Sequence, residues 1–131
     1  MQVNQTNKDL SDYRLERAAD CLDTAKKMVE LGKYRDATNR SYYCIFHCMR
    51  SILALEGVDF KKHTAVISYF RENYIKSGKL ENRISDIIGD LFWLRNKSDY
   101  EDFFVVSKKE VAAQVENAEY FLGQIKAYLG K

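Results

Sequence analysis

Apolar residues recur at spacings of three and four along almost the whole chain, which is the mark of amphipathic helices that each bury one face. The first stripe runs through Leu10, Ala18, Cys21, Leu22, Ala25, Met28 and Val29, and Gly32 ends it. Thr6 followed by Asp9 has the form of a capping box, in which the acid reaches back to bare backbone amides. Residues 1–8 are polar and are expected as a disordered amino end. A second helix is expected from Tyr34 to Leu55, with Ala37, Ser41, Cys44, Ile45, Cys48, Ile52 and Leu55 on one face and Gly57 as its left-handed stop. A third begins near Thr64, read as its cap, and carries Val66, Ile67, Phe70 and Tyr74. Ser77-Gly78-Lys79 forms a turn. A fourth carries Leu80, Ile84, Ile87, Ile88, Leu91 and Leu94 and frays near Asp99 or Tyr100. Phe103 to Val106 reads as an extended connector, with a short strand as the alternative. Ser107 and Glu110 form the clearest capping box, ahead of a last helix with Val111, Val115, Ala118, Leu122, Ile125 and Leu129.

The pattern predicts an all-α protein, a four- to five-helix up-and-down bundle that fills residues 1–131 as a single domain. Composition narrows this further. A chain of 131 residues buries a real core without disulfides or metal. With 0 proline and 6 glycine residues, it lacks the turn residues of a loop-rich all-β domain. A net charge of +2 excludes a polycation that binds through bulk charge, but leaves room for a local basic patch. No run approaches the roughly 18 apolar residues of a membrane span, and the amino end shows no apolar secretory core, so no membrane role is expected. The 3 cysteines, Cys21, Cys44 and Cys48, are expected as free thiols in a reducing cytoplasm. Aromatics are in surplus, with 9 Tyr and 7 Phe, which suggests a subunit interface or a stacking surface.

Two places could carry chemistry. Arg40, Tyr43, His47 and Arg50 recur at spacings of 3, 4 and 3 and line one side of the second helix. Guanidinium, phenol and imidazole suit phosphate and base contacts, although the same spacing serves an amphipathic boundary from which Arg and Tyr snorkel. Arg95 and Asp99 are spaced as a helical ion pair, but with the acid nearer the helix carboxyl end, where the dipole repels it. That broken local rule calls for something else to hold Asp99: a cation, a ligand or a second subunit. Cys44 and Cys48 share a face, yet His47 turns away from them and no second ligand pair is obvious beyond an approach by His63, so no metal is expected. Lys61-Lys62-His63 precedes a helix start, which serves equally as an anion-binding turn or as an ordinary solvated loop.

Taken together, Ala37-Thr38-Asn39-Arg40-Ser41-Tyr42-Tyr43 with Phe46, the loop with Lys62-His63, and Arg95 to Asp99-Tyr100 resemble the HEPN domain family, in its small single-domain prokaryotic branch. The resemblance covers about Tyr13 to Leu129. It implies a helical bundle that forms a homodimer, with the arginine motif of both chains gathered in the cleft between subunits. It further implies a toxin of a toxin–antitoxin pair, partnered by a minimal nucleotidyltransferase and acting as a metal-independent ribonuclease without a cofactor. The alternative is a catalytically inactive nucleotide-binding or scaffolding dimer that serves a partner protein. Arg95 matches the motif arginine and Asn96 the polar residue after it. The motif histidine is absent, because Tyr100, Glu101 and Asp102 stand in its place. Histidine titrates near neutrality and tyrosine does not, so cleavage would fall to Tyr100 or Asp99, both poor proton acceptors at pH 7. In the binding reading, Tyr100 becomes a candidate acceptor of a nucleotidyl group. Arg40, Tyr43, His63 and Asn96 are the residues expected to seat nucleotide or RNA, with Arg95 facing an open groove.

Overall fold

Two of the helices begin at a side chain that satisfies bare backbone amides, and the other three begin without one. A computed structural model describes residues 4–131. Helix α1 spans Gln5–Glu30, α2 Tyr34–Leu55, α3 His63–Phe70, α4 Asn82–Tyr100 and α5 Lys108–Tyr128. There is no strand among the described residues. The first cap is Asn4, whose side chain accepts from the amides of Thr6 and Asn7, and not Thr6 as the sequence pattern suggested. The helix therefore already runs through residues 5–8, inside the stretch expected to be unordered; residues 1–3 lie outside the described residues. Ser107 caps α5 as expected, its hydroxyl accepting from the Glu110 amide at 3.1 Å. Thr64 is no cap either: α3 starts one residue earlier, at His63, behind Lys62.

Gly32 and Gly57 take φ of +73° and +69°, which L side chains resist, and so let the chain reverse after α1 and α2. The three-residue turn after α1 makes an antiparallel hairpin. Its register is visible in the buried pair Ser11–Ser51, 3.0 Å between hydroxyls, and in Arg14, which donates to the Arg50 carbonyl at 3.1 Å. Ser51 also donates to the Ser11 carbonyl, so the polar atoms of this seam are satisfied.

Helix α2 is the axle of the bundle and packs against α1, α3, α4 and α5. The sequence suggested one apolar face. The structure buries Tyr42, Phe46, Met49 and Leu53 as well, because neighbours close around α2 on several sides. Small residues at Ala37, Ser41, Cys44 and Cys48 let those neighbours approach closely, and the thiols are buried and unpaired. The expected faces of α4 and α5 are buried from Ile84 to Leu94 and from Val111 to Ile125, joined by Phe121, which the stripe omitted; Leu80, expected on the fourth helix, precedes it and is half-buried, as is Leu129 just past α5.

Helix α3 passes into a π-helical turn, Arg71–Ile75, where a continuous α-helix was expected. Phe70 and Tyr74 are both buried there, and the Tyr74 hydroxyl donates to Glu56 at 2.5 Å. Between α4 and α5 the chain forms no strand: it turns at Phe103 and runs irregularly to Ser107, and only part of it packs on the bundle as expected. Val106 tucks against Ala37, Leu94 and Val111, whereas Phe103 and Val105 project outward at 97% and 84% exposure. Part of the aromatic surplus thus sits on the surface, Trp93 included.

The caps give a direct test. Asn4→Ala and Ser107→Ala should each lower stability in urea denaturation by about 1 kcal/mol, the usual value of a side-chain cap. Thr6→Ala should leave it nearly unchanged.

Candidate functional site

Tyr42 lies on α2 with no exposed surface, and three elements meet around its ring. Phe46 stacks on it from one turn further along α2, and Phe92 leans in from α4. The Arg95 guanidinium of α4 sits 5.2 Å from its centroid. At its far end, the hydroxyl meets Nδ1 of His63, the first residue of α3, at 3.0 Å. Tyr43, next along the chain, presents its edge to Tyr42 and its hydroxyl to Arg95 Nη2 at 3.2 Å. One pair of adjacent tyrosines therefore fixes both Arg95 and His63.

Arg95 does not face an open groove, as the sequence reading expected. Its side chain is 15% exposed, covered by the rings of Tyr42, Tyr43 and Tyr100. Its Nε lies 3.0 Å from Asp99 Oδ2, an ion-pair contact too oblique to count as a hydrogen bond. Nη1 donates to the Asn96 side chain at 3.3 Å. Its hydrogen bonds thus use two of the five N–H groups of a guanidinium fork. Asp99, the acid at the unfavourable end of its helix, is held by Arg95 together with Asn39 of α2, at 3.4 Å. Tyr100 is 74% exposed and closes the rim.

Not every expected residue joins this group. Arg40 is exposed and lies on the α1 side of α2 beside Cys21, away from Arg95. The stripe of which it was part divides. Tyr43 serves Arg95, His47 packs beside the Tyr43 and Phe46 rings, and Arg50 turns to Asp59. The reason is that α2 is embedded, so residues on one side of it meet different neighbours along its length.

Beyond His47 lies a second polar cluster that the sequence reading missed. Asp59 accepts from Arg50 at 2.8 Å and from Arg14 at 3.0 Å. Burial raises the Asp59 carboxyl, but the Arg50 hydrogen bonds, the Phe60 amide and the Arg14 charge more than offset this and hold it below the usual carboxylate range. A signal was present: Arg14 falls on the buried face of α1 between Ser11 and Ala18, where a charge needs a partner. Asn39, Tyr42 and Phe46 likewise follow one another at helical spacing beside the apolar stripe of α2.

Burial and the charges of Arg17, Arg50, Arg14 and His63 push His47 down to about 4. Burial, with Arg95 and Arg50, lowers His63 too. Burial raises the Tyr42 phenol, which stays protonated. The described residues bring no three metal-binding side chains together, and no helix among them is long and apolar enough to cross a membrane.

Comparison with known proteins adds to this geometry. Residues 11–128 match the HEPN domain. The chain is similar to a UPF0332 protein of Thermotoga maritima, 29% identical over 95% of this chain and 93% of the relative. It is also similar to two proteins of Methanocaldococcus jannaschii, each named "putative toxin". One is 33% identical over 94% of this chain and 93% of the relative, the other 26% identical over 88% and 78%.

The lowered histidines set a pH dependence. In the unfolded chain they take protons near 6.5, and in the folded chain only below that, His47 at about 4. The unfolded state therefore binds more protons between those values, and stability must fall as pH drops through that window. Denaturant unfolding between about pH 7 and about pH 4.5 should show this fall, with a shallower slope in His47→Gln. A wild-type stability that stays flat or rises on acidification contradicts the burial of a neutral His47.

Proposed function

The chain belongs to the HEPN domain family, and on that premise we propose that it is a toxin-type HEPN protein that binds the phosphates of nucleotide or RNA at Arg95. The observation that carries this reading is the guanidinium itself: largely sheltered, steadied by Tyr42 and Tyr43, with Nε paired to Asp99 and one N–H on each of Nη1 and Nη2 outside hydrogen bonds. Sheltering strengthens a guanidinium–phosphate contact, because the surrounding rings exclude competing water. Asn96 sits beside it as a further donor to phosphate or base. The names of the two archaeal relatives support the toxin reading.

Binding is favoured over cleavage. Asp99 is tied to Arg95 and Asn39, so its carboxylate is occupied rather than poised to take a proton from a 2′-hydroxyl. Tyr100, at the exposed rim, is placed for modification and ill suited as a base at pH 7. The partners in this reading are a second copy of the chain, for which the outward Trp93, Phe103 and Val105 offer apolar surface, and a minimal nucleotidyltransferase, all in the cytoplasm.

Titration of a labelled short RNA at several salt concentrations tests the reading. Affinity should fall steeply with salt and drop about tenfold or more in Arg95→Ala, with Arg95→Lys intermediate because it keeps the charge and loses the fork. Absence of binding by the wild type at low salt, or equal binding by wild type and Arg95→Ala, contradicts it. Incubation of an RNA pool in chelator should leave it intact.

A further inference from the structure

A cleft of about 330 Å³ opens where the end of α2 meets the start of α3, lined by Phe46, Arg50, Asp59, Phe60, Lys61 and His63. Its size falls at the lower end of small-ligand pockets. Its one acid is already spent. Asp59 Oδ2 takes Arg14 and Arg50, and Oδ1 takes Arg50 Nε at 3.3 Å and the Phe60 amide at 2.9 Å. Asp59 therefore orients Arg50 rather than repelling an anion. The Nη1 edge of Arg50 has no partner among the described residues, and the exposed Lys61 has none either. Cationic donors thus outnumber the acid at the mouth.

His63 adds a donor of fixed direction. Among the described residues, the buried Tyr42 hydroxyl has Nδ1 of His63 as its one partner. A buried hydroxyl that does not donate loses free energy, so the Tyr42 O–H points at Nδ1, and the ring proton of the neutral imidazole must sit on Nε2. Phe46, stacked on the ring at 4.0 Å, holds the imidazole in that plane. His63, which lines the cleft, thus carries its N–H on Nε2 and no charge.

The path between this cleft and Arg95 is aromatic. Tyr43 bonds Arg95, Arg50 lines the cleft, and His47 lies between them on the same helix, its ring 6.1 Å from that of Tyr43. From residue 43 to residue 50, α2 rises by about 10 Å, too far for a single phosphate to touch both ends. Cationic ends joined by stacking rings describe a track for single-stranded nucleic acid. Resting on the reading of Arg95 as a phosphate site, we propose that the cleft is a second phosphate subsite with the Nε2–H of His63 as a donor, so that the ligand is a single-stranded RNA spanning both sites rather than a mononucleotide.

The test compares adenosine monophosphate with an adenylate RNA hexamer by titration at fixed salt. The hexamer should bind at least about tenfold more tightly, since it engages both subsites and the rings between them. Lys61→Glu, at an exposed side chain that no neighbour needs for folding, should weaken the hexamer about fivefold or more and reduce its salt slope by about one. His63→Ala should weaken it comparably, while His63→Gln, which retains an N–H near the Nε2 position, should recover most of the loss. Equal affinities for the two probes overturn the proposal. So does hexamer binding that is lost in Arg95→Ala yet unchanged in both Lys61→Glu and His63→Ala, in which case the Arg95 site stands alone. If neither probe binds the wild type, the Arg95 reading falls as well.

Discussion

A single buried phenol ties the candidate functional end of this bundle together. Tyr42 has no exposed surface, and its hydroxyl needs a partner that, among the described residues, only His63 supplies, while its ring face supports Arg95. Satisfying that hydroxyl fixes where α3 begins relative to α2. Covering the ring face fixes the last turns of α4. Without the pair, a buried O–H would cost about 1–3 kcal/mol, and the start of α3 would lose its anchor on α2. The chemistry of the site thus follows from a packing requirement: the groups that complete the core around Tyr42 are a guanidinium and an imidazole.

The bundle supplies the frame. Because α2 is enclosed by α1, α3, α4 and α5, its polar residues are sorted by neighbour rather than by helical face. Tyr43 meets α4, Arg50 meets the loop after α2, and Arg40 turns toward α1. Ion pairs at the surface add little to stability, but those made by the sheltered Arg14 and Arg95 set geometry. Asp59 and Asp99 play the same part at the two ends of the site, each holding an arginine in place.

Much of this was legible in the sequence. Periodicity located all five helices, and Gly32, Gly57 and Ser107 marked real boundaries, since each acts through its own backbone or the next turn. Thr6 misled because another capping side chain, Asn4, stands two residues earlier, and Thr64 because α3 starts behind Lys62 with no side-chain cap at all. The π-helical turn at Arg71–Ile75 had no local signature. At the site, Arg95, Asn96, Asp99 and Tyr43 do converge, whereas Arg40 does not. A helical wheel gives direction around one axis, but says nothing of which neighbour stands there. The Arg14–Asp59 pair and the Tyr42–His63 bond join residues 45 and 21 positions apart, beyond the reach of any local pattern.

The central claim is that the sheltered guanidinium of Arg95 itself meets the incoming phosphate. Arginine side-chain ¹H–¹⁵N spectra, recorded while single-stranded RNA is added, follow each guanidinium separately. The account expects the Arg95 Nε–H signal to move and to saturate with the same affinity as the backbone signals of Tyr43 and Asn96. An Arg95 signal that stays fixed while arginines on other faces, such as Arg83, shift with the RNA would contradict it.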